Sequence, residues 1–446
     1  MSLPDDFQDG SYANQDWEKI FDILERNKQT TKAPLLRPLP AAPVEITPSF
    51  YSCDDRMVFV DTGKNSSRCA FSCQDDVDVF FTKSDRVSAE RLMTSLAAVC
   101  LVTSLLIVIT FALDTTRFVY PERPIVCMAI CHVVYSSTLL VRAVVGARAI
   151  SCEMNSNDDL FVIMAGLEST WCTVVFALLY FFNLASALWW LILTLGWFLE
   201  AARKWGSEAI QGRSSYFHIA AWSLPALATI VVLVKRKVDG DLLTGLCFAG
   251  NQDPLTLAIY VILPEALCLL LGCALVVAGF VSLTAIRWRL KQNGGTSGSL
   301  KKNEKLIAKM VIFSALYVTL RIANLTCLVY EALHMDEWQT SLPPCDVIED
   351  SDVVDCTLDT SIPVVHVFLL KIVTSLGVGV ICGVWICSRK TLDSWRAALC
   401  CEHARKDVKS GTSGAPSVNT STAMNYSYQK APTSQNTSSY YPPQTA

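Results

Sequence analysis

The chain has 446 residues, 52% of them hydrophobic and only 17% charged, with a formal net charge of −4. A soluble domain carries nearer a quarter of its residues as charged side chains, so this composition excludes a single soluble globular domain. The slightly acidic balance also offers no basic surface for nucleic acid.

The first 50 residues are polar and acidic, as in "MSLPDDFQDGSYANQDWEKIF", and are expected to be disordered. Residues 1–88 hold no apolar run long enough for the core of a signal peptide. The expectation drawn from this is an incomplete or shortened product, with a first span acting as a reverse anchor as the alternative. Residues 51–88 form a linker containing Cys53, Cys69 and Cys73, and Asn65-Ser66-Ser67 is a glycosylation acceptor.

Seven apolar runs follow, at about 92–113, 124–147, 163–198, 216–234, 255–286, 305–330 and 361–387. A spanning helix needs roughly 20 apolar residues, so residues 89–388 read as an all-α, seven-transmembrane helix bundle. The cations set its orientation. Arg117, Arg123, Arg203, Lys204, Arg213, Arg287, Arg289, Lys291, Lys301, Lys302 and Lys305 fall on one side, with Arg389, Lys390 and Arg396 of the tail. That side is cytoplasmic and the N-terminus is outside. The outer loop 336–359 is strongly acidic; Lys235-Arg236-Lys237 is the outer exception.

Of 18 cysteines, eight fall on outer segments, where disulfides form. Cys172 is placed to pair with Cys247, and Cys345 with Cys356 inside one loop. Cys53, Cys69, Cys73 and Cys152 then remain to tie the N-terminal segment to the first outer loop; sequence alone leaves their pairing open.

Three charges lie inside the spans. Glu265, Arg321 and Lys371 are each about ten residues from the outer end of their run, in the fifth, sixth and seventh spans. At 1.5 Å per residue all three sit roughly 15 Å deep. A charge there costs about 2.5–3.5 kcal/mol on insertion scales. Equal depth predicts a Glu–Arg–Lys cluster facing the bundle interior; separate snorkelling or cavity lining is the alternative.

Past the last span, "SRKTLDSWRAALCC" (388–401) predicts a short interfacial helix over 389–401. Thr391 is its expected N-cap, and Leu392, Trp395 and Leu399 form one apolar stripe that can lie on the membrane. Residues 402–446 are rich in Ser, Thr, Asn, Gln and Tyr and are expected to be a disordered cytoplasmic tail. No metal or cofactor is expected, since His132, His366 and Glu265 lack metal-ligand spacing. An enzyme is not expected either: both "GTSG" stretches (295–298 and 411–414) lie in polar segments, outside any span.

The stretches "RFVYPERPI" (117–125), "LYFFNLASALWWLILTLGWFLEAARKWGSEAI" (179–210), "YFHIAAWSLPA" (216–226), "GLCFAGN" (245–251) and "KTLDSW" (390–395) resemble the Frizzled receptors, in order and with matching spacing from about Cys69 to about Arg396. The resemblance implies a class F receptor of the Wnt pathway at the plasma membrane. It implies Dishevelled as cytoplasmic partner, with a co-receptor, a G protein and membrane lipid as further candidates. The family's Lys-Thr-three-residues-Trp docking motif maps onto Lys390, Thr391 and Trp395, and Arg123, Lys204, Trp205 and Lys301 lie in family-like inner stretches. The family's ten-cysteine Wnt-binding domain is not in this chain, so direct Wnt capture is not expected of it. An attenuator that sequesters Dishevelled, or a Smoothened-like transducer, is the rival reading. Glu265 and Arg321 depart from the family pattern. So does Leu320, where a proline is usual, and Cys387 stands at the place of a tryptophan that stacks on a basic residue, here Lys309. The expectation is a weakened switch.

Overall fold

The computed structural model describes residues 53–61, 67–115, 118–167, 169–292, 298–348, 353–385, 391 and 395. The expected disorder of 1–50 and 402–446, the acceptor Asn65, and Cys387 and Lys390 lie outside the described residues. Lys301 is described only by its helical backbone.

Among the described residues, seven helices are long and apolar enough to cross a membrane. They are α1 (Lys83–Leu113), α2 (Pro124–Val145), α3 (Thr170–Arg203), α4 (Ser214–Val234), α5 (Leu263–Gln292), α6 (Gly298–Thr340) and α7 (Val365–Cys382). α5 is entered through one turn at Pro254–Thr256 and a π-helical stretch, Leu257–Ile262. α7 closes in a 3₁₀ turn, Gly383–Trp385.

Local sequence starts these helices. Thr82 caps α1 by accepting from the Asp85 N–H at 3.2 Å, and Ser169 caps α3 by accepting from that of Cys172 at 3.4 Å. α3 begins at Thr170, not near 163, because the backbone there bonds to neighbouring segments instead, the Ile163 N–H donating to Ser151 and the Gly166 N–H to Val238. α6 runs ten residues past the end of its apolar run. Hydropathy falls there, but Glu, Ala, Leu, His and Met keep the helix going outside the bilayer.

Close packing fixes the centre. Gly272 and Gly279 of α5 face Trp190 and Trp197 of α3, and a methyl at either glycine would overlap the indole. Small residues at a helix seam let backbones approach where no hydrophobic force separates protein from lipid. Leu320 stands 3.2 Å from where a Cβ on Gly377 of α7 would lie, so a side chain fills the place of the missing proline. The buried residues form two main layers, one around Met93, Phe176 and Phe368 and one around Trp189, Trp190, Phe313 and Trp385.

On the outer side, among the described residues, four two-stranded ribbons form a cap that the sequence did not signal. They are β1–β2 (Met57–Asp61, Ser67–Phe71), β3–β4 (Cys152–Met154, Leu160–Val162), β5–β6 (Val238–Gly240, Cys247–Ala249) and β7–β8 (Asp346–Ile348, Val353–Asp355). Disulfides join Cys53 to Cys69, Cys73 to Cys152, Cys172 to Cys247 and Cys345 to Cys356. Of the four cysteines left open by sequence, one pair therefore closes the first ribbon and the other ties the linker to the first outer loop.

The β5–β6 ribbon lies over the α3 end of the bundle, and Asp239 is buried within it. Its carboxylate accepts the N–H groups of Asn251 and Gln252, each at 2.9 Å. Burial outweighs these bonds and pushes the Asp239 carboxyl up to about 7, with Asp253 and Asp241 adding to the rise.

Candidate functional site

α6 carries its chemistry on one face. Lys309, Phe313, Tyr317 and Arg321 recur every four residues, so they stack along a single stripe of the helix. Lys309 and Phe313 meet Trp385 after α7, Tyr317 meets α3, and Arg321 meets α5 and α3.

At the cytoplasmic end, the Lys309 Nζ donates to the Trp385 carbonyl at 3.1 Å and lies 4.6 Å from the centre of the Trp385 ring. Such a contact is worth roughly 0.5–2 kcal/mol. The expectation of a weakened switch at Cys387 is therefore corrected. The aromatic partner of Lys309 is Trp385, two residues earlier, because the helical face of α7 that turns toward α6 emerges at 385. Trp385 is 2% exposed and packs edge-on against Phe313, with ring centres 5.8 Å apart. One turn further, Tyr317 stacks on Trp190 of α3 at 4.2 Å.

At mid-membrane, the Arg321 guanidinium lies 3.5 Å from a Glu265 oxygen of α5, with both side chains about 5% exposed. Asn183 of α3 joins them. It donates to Glu265 Oε1 at 2.5 Å and accepts from Arg321 at 3.2 Å. The guanidinium also sits 5.6 Å from the Tyr317 ring. A buried pair of this kind roughly balances its desolvation while intact, and breaking it leaves a charge uncompensated.

Lys371 does not complete a Glu–Arg–Lys cluster. Its ammonium donates to Glu331 of α6 at 2.6 Å and lies 5.1 Å from the Phe368 ring. Glu331 is ten residues beyond Arg321 on α6, so two separate ion pairs form at two depths. Asn324 lies between them, donating to the Lys371 carbonyl and to the Thr374 hydroxyl, both at 3.2 Å. Glu265, Asn183, Asn324 and Lys371 do line one cavity of about 120 Å³ beneath the outer cap. Equal depth along each span identified the charges; Glu331 was missed because it sits where the apolar run was taken to end.

The inner connections hold the remaining candidates. Arg123 occupies the N-cap position of α2, ahead of Pro124, without a side-chain capping bond. Lys204 ends α3 in a left-handed conformation at φ 56°, its N–H returning to the Leu199 carbonyl. Trp205 follows with the Arg213 guanidinium 5.1 Å from its ring. Past α7, Thr391 is buried and already helical, so the helix begins at or before it and not after it. Trp395 is half-buried, and its indole N–H donates to the Thr110 hydroxyl of α1 at 3.1 Å. The expected membrane-lying tryptophan is thus held under the helix bundle. Thr110 gave no sequence signal, since threonines in spans usually bond their own backbone, as Thr110 does to Leu106.

These features together define a class: a seven-helix membrane protein, with a disulfide-stapled outer cap and an aromatic–cation contact toward its cytoplasmic end. The Frizzled/Smoothened family membrane region matches residues 80–402. Chicken Frizzled-9 is 42% identical over 86% of this chain and 95% of its own length. Rat Frizzled-9 is 45% identical over 78% of this chain and 59% of its own length, and human Frizzled-10 is 42% identical over 79% and 60%. The chain thus spans about three fifths of the length of these last two relatives. It belongs to the Frizzled family, as a multi-pass protein of the plasma membrane.

Proposed function

We propose that this chain is a Wnt-pathway receptor that relays to Dishevelled at its cytoplasmic face. The proposed docking residues are Lys390, Thr391 and Trp395, joined by Arg123, Lys204, Trp205 and Lys301 of the other inner connections. The observation that carries this reading is the Trp395–Thr110 hydrogen bond. It ties Trp395 to the end of α1, so this member of the motif has one defined placement before a cytoplasmic partner docks. Such preorganisation lowers the entropy cost of docking. Surrounding cations suit an acidic partner surface or anionic lipid. The Lys309–Trp385 contact between α6 and α7 stands close by and can restrain α6 when the receptor is at rest.

The test is recruitment of fluorescent Dishevelled to the membrane in cells lacking other Frizzleds, normalised to receptor at the surface. Lys390→Ala with Trp395→Ala should abolish it. Recruitment at the wild-type level in that double variant would refute the reading.

A further inference from the structure

The outer end of α6 is fastened to the segment that precedes α1, and one side chain stands at the junction. Arg56, on the approach to β1, is 3% exposed although it carries a charge. Its guanidinium gathers three backbone carbonyls. Nε donates to Pro343 at 2.9 Å, and Nη1 donates to Cys356 at 2.5 Å and to Asp78. Pro343 and Cys356 flank the Cys345–Cys356 disulfide loop that follows α6, and Asp78 belongs to the linker into α1. The fork geometry of a guanidinium, always charged, suits several acceptors at once.

Further bonds run alongside. The Cys345 N–H reaches Asp55 at 3.4 Å, the Asp78 N–H donates to Cys356 at 3.1 Å, and the Asp78 carboxylate takes both Arg86 and the Leu358 N–H. The linker thereby grips the loop joining α6 to α7. α6 itself is one continuous helix of 43 residues, about 64 Å long at 1.5 Å per residue. Toward its cytoplasmic start, its twelfth residue, Lys309, rests on Trp385. A continuous helix passes a tilt or axial shift along its length, here past the attachments of Glu331, Asn324 and Arg321.

We propose that Arg56 is the positioning residue through which the extracellular segment ahead of α1 sets the position of α6, and with it the Lys309–Trp385 contact. This deepens the proposed function by naming its regulation, and only the cellular readout below rests on that function.

Arg56→Gln is read in two ways. On the purified receptor in lipid nanodiscs, amide hydrogen exchange should quicken about tenfold in the 353–358 segment and also around residues 309–317 at the far end of α6. In cells, basal Dishevelled recruitment per surface receptor should rise in the same direction as in Lys309→Ala. Quicker exchange confined to 353–358, with residues 309–317 unchanged, would overturn the inference, since a purely local structural role predicts that. Loss of recruitment in every receptor, wild type included, would sink the proposed function and leave the exchange result to decide this one. If Arg56→Gln does not reach the surface, Arg56→Lys, which keeps the charge without the planar fork, is compared by the same two readouts.

Discussion

The two ends of α6 are held in different ways. From Arg321 outward the helix is fixed by Glu265 and Asn183, by Asn324 on α7, by Lys371 on Glu331, and by a linker bolted to the loop beyond its end. Toward the cytoplasm, Trp190 stacks on Tyr317, and Lys309 and Phe313 rest on Trp385. The outer attachments include two ion pairs with buried partners, and the loop beyond α6 is closed by a disulfide, so losing one partner of a pair leaves an uncompensated charge. The inner ones are aromatic and cationic contacts that separate without stranding a charge in lipid. The difference teaches that stability is concentrated outside and freedom to move inside, as a receptor that signals inward requires.

The largest test breaks the outer half. Glu265→Ala leaves the buried Arg321 charge unpaired, which costs about 3–5 kcal/mol. Surface expression should fall severely. Glu265→Arg with Arg321→Glu should recover part of it relative to Glu265→Arg alone; no recovery would mean that the two charges do not act as a pair.

A smaller effect sharpens the picture of the cap. The Asp239 carboxyl is raised from 3.8 to about 7. The folded state therefore holds a proton that the unfolded chain has lost across this range. Its stabilising effect is complete below the unfolded value and is lost as pH rises through about 7. Melting curves of the receptor in nanodiscs should show about 1 kcal/mol more stability at pH 6 than at pH 8. Asp239→Asn should flatten that slope, and an unchanged slope would assign it to another group.

The smallest stability change belongs to the inner end. Lys309→Ala should cost about 0.5–1 kcal/mol, in the range of a partly exposed cation–π contact, with melting nearly unchanged. Basal Dishevelled recruitment should nonetheless rise. A large loss of stability with no change in recruitment would reverse the contrast between the two ends.

The sequence by itself determined the seven spans, their orientation and which side holds the disulfides. These follow from apolar length, cation bias and compartment, all properties that add along a chain. It also singled out Glu265, Arg321 and Lys371, because a charge in hydrocarbon is costly wherever it is placed, and it marked Thr391 and Trp395 by a motif. Only the tertiary structure decided partnership. Lys371 takes Glu331, Lys309 takes Trp385, Trp395 takes Thr110 and Arg56 takes three carbonyls, two of them from about 300 residues away. Such pairings depend on helix rotation and on which faces meet. An error of two residues moves a side chain about 200° around a helix: the family's tryptophan place was read at Cys387, and the ring that meets Lys309 is that of Trp385.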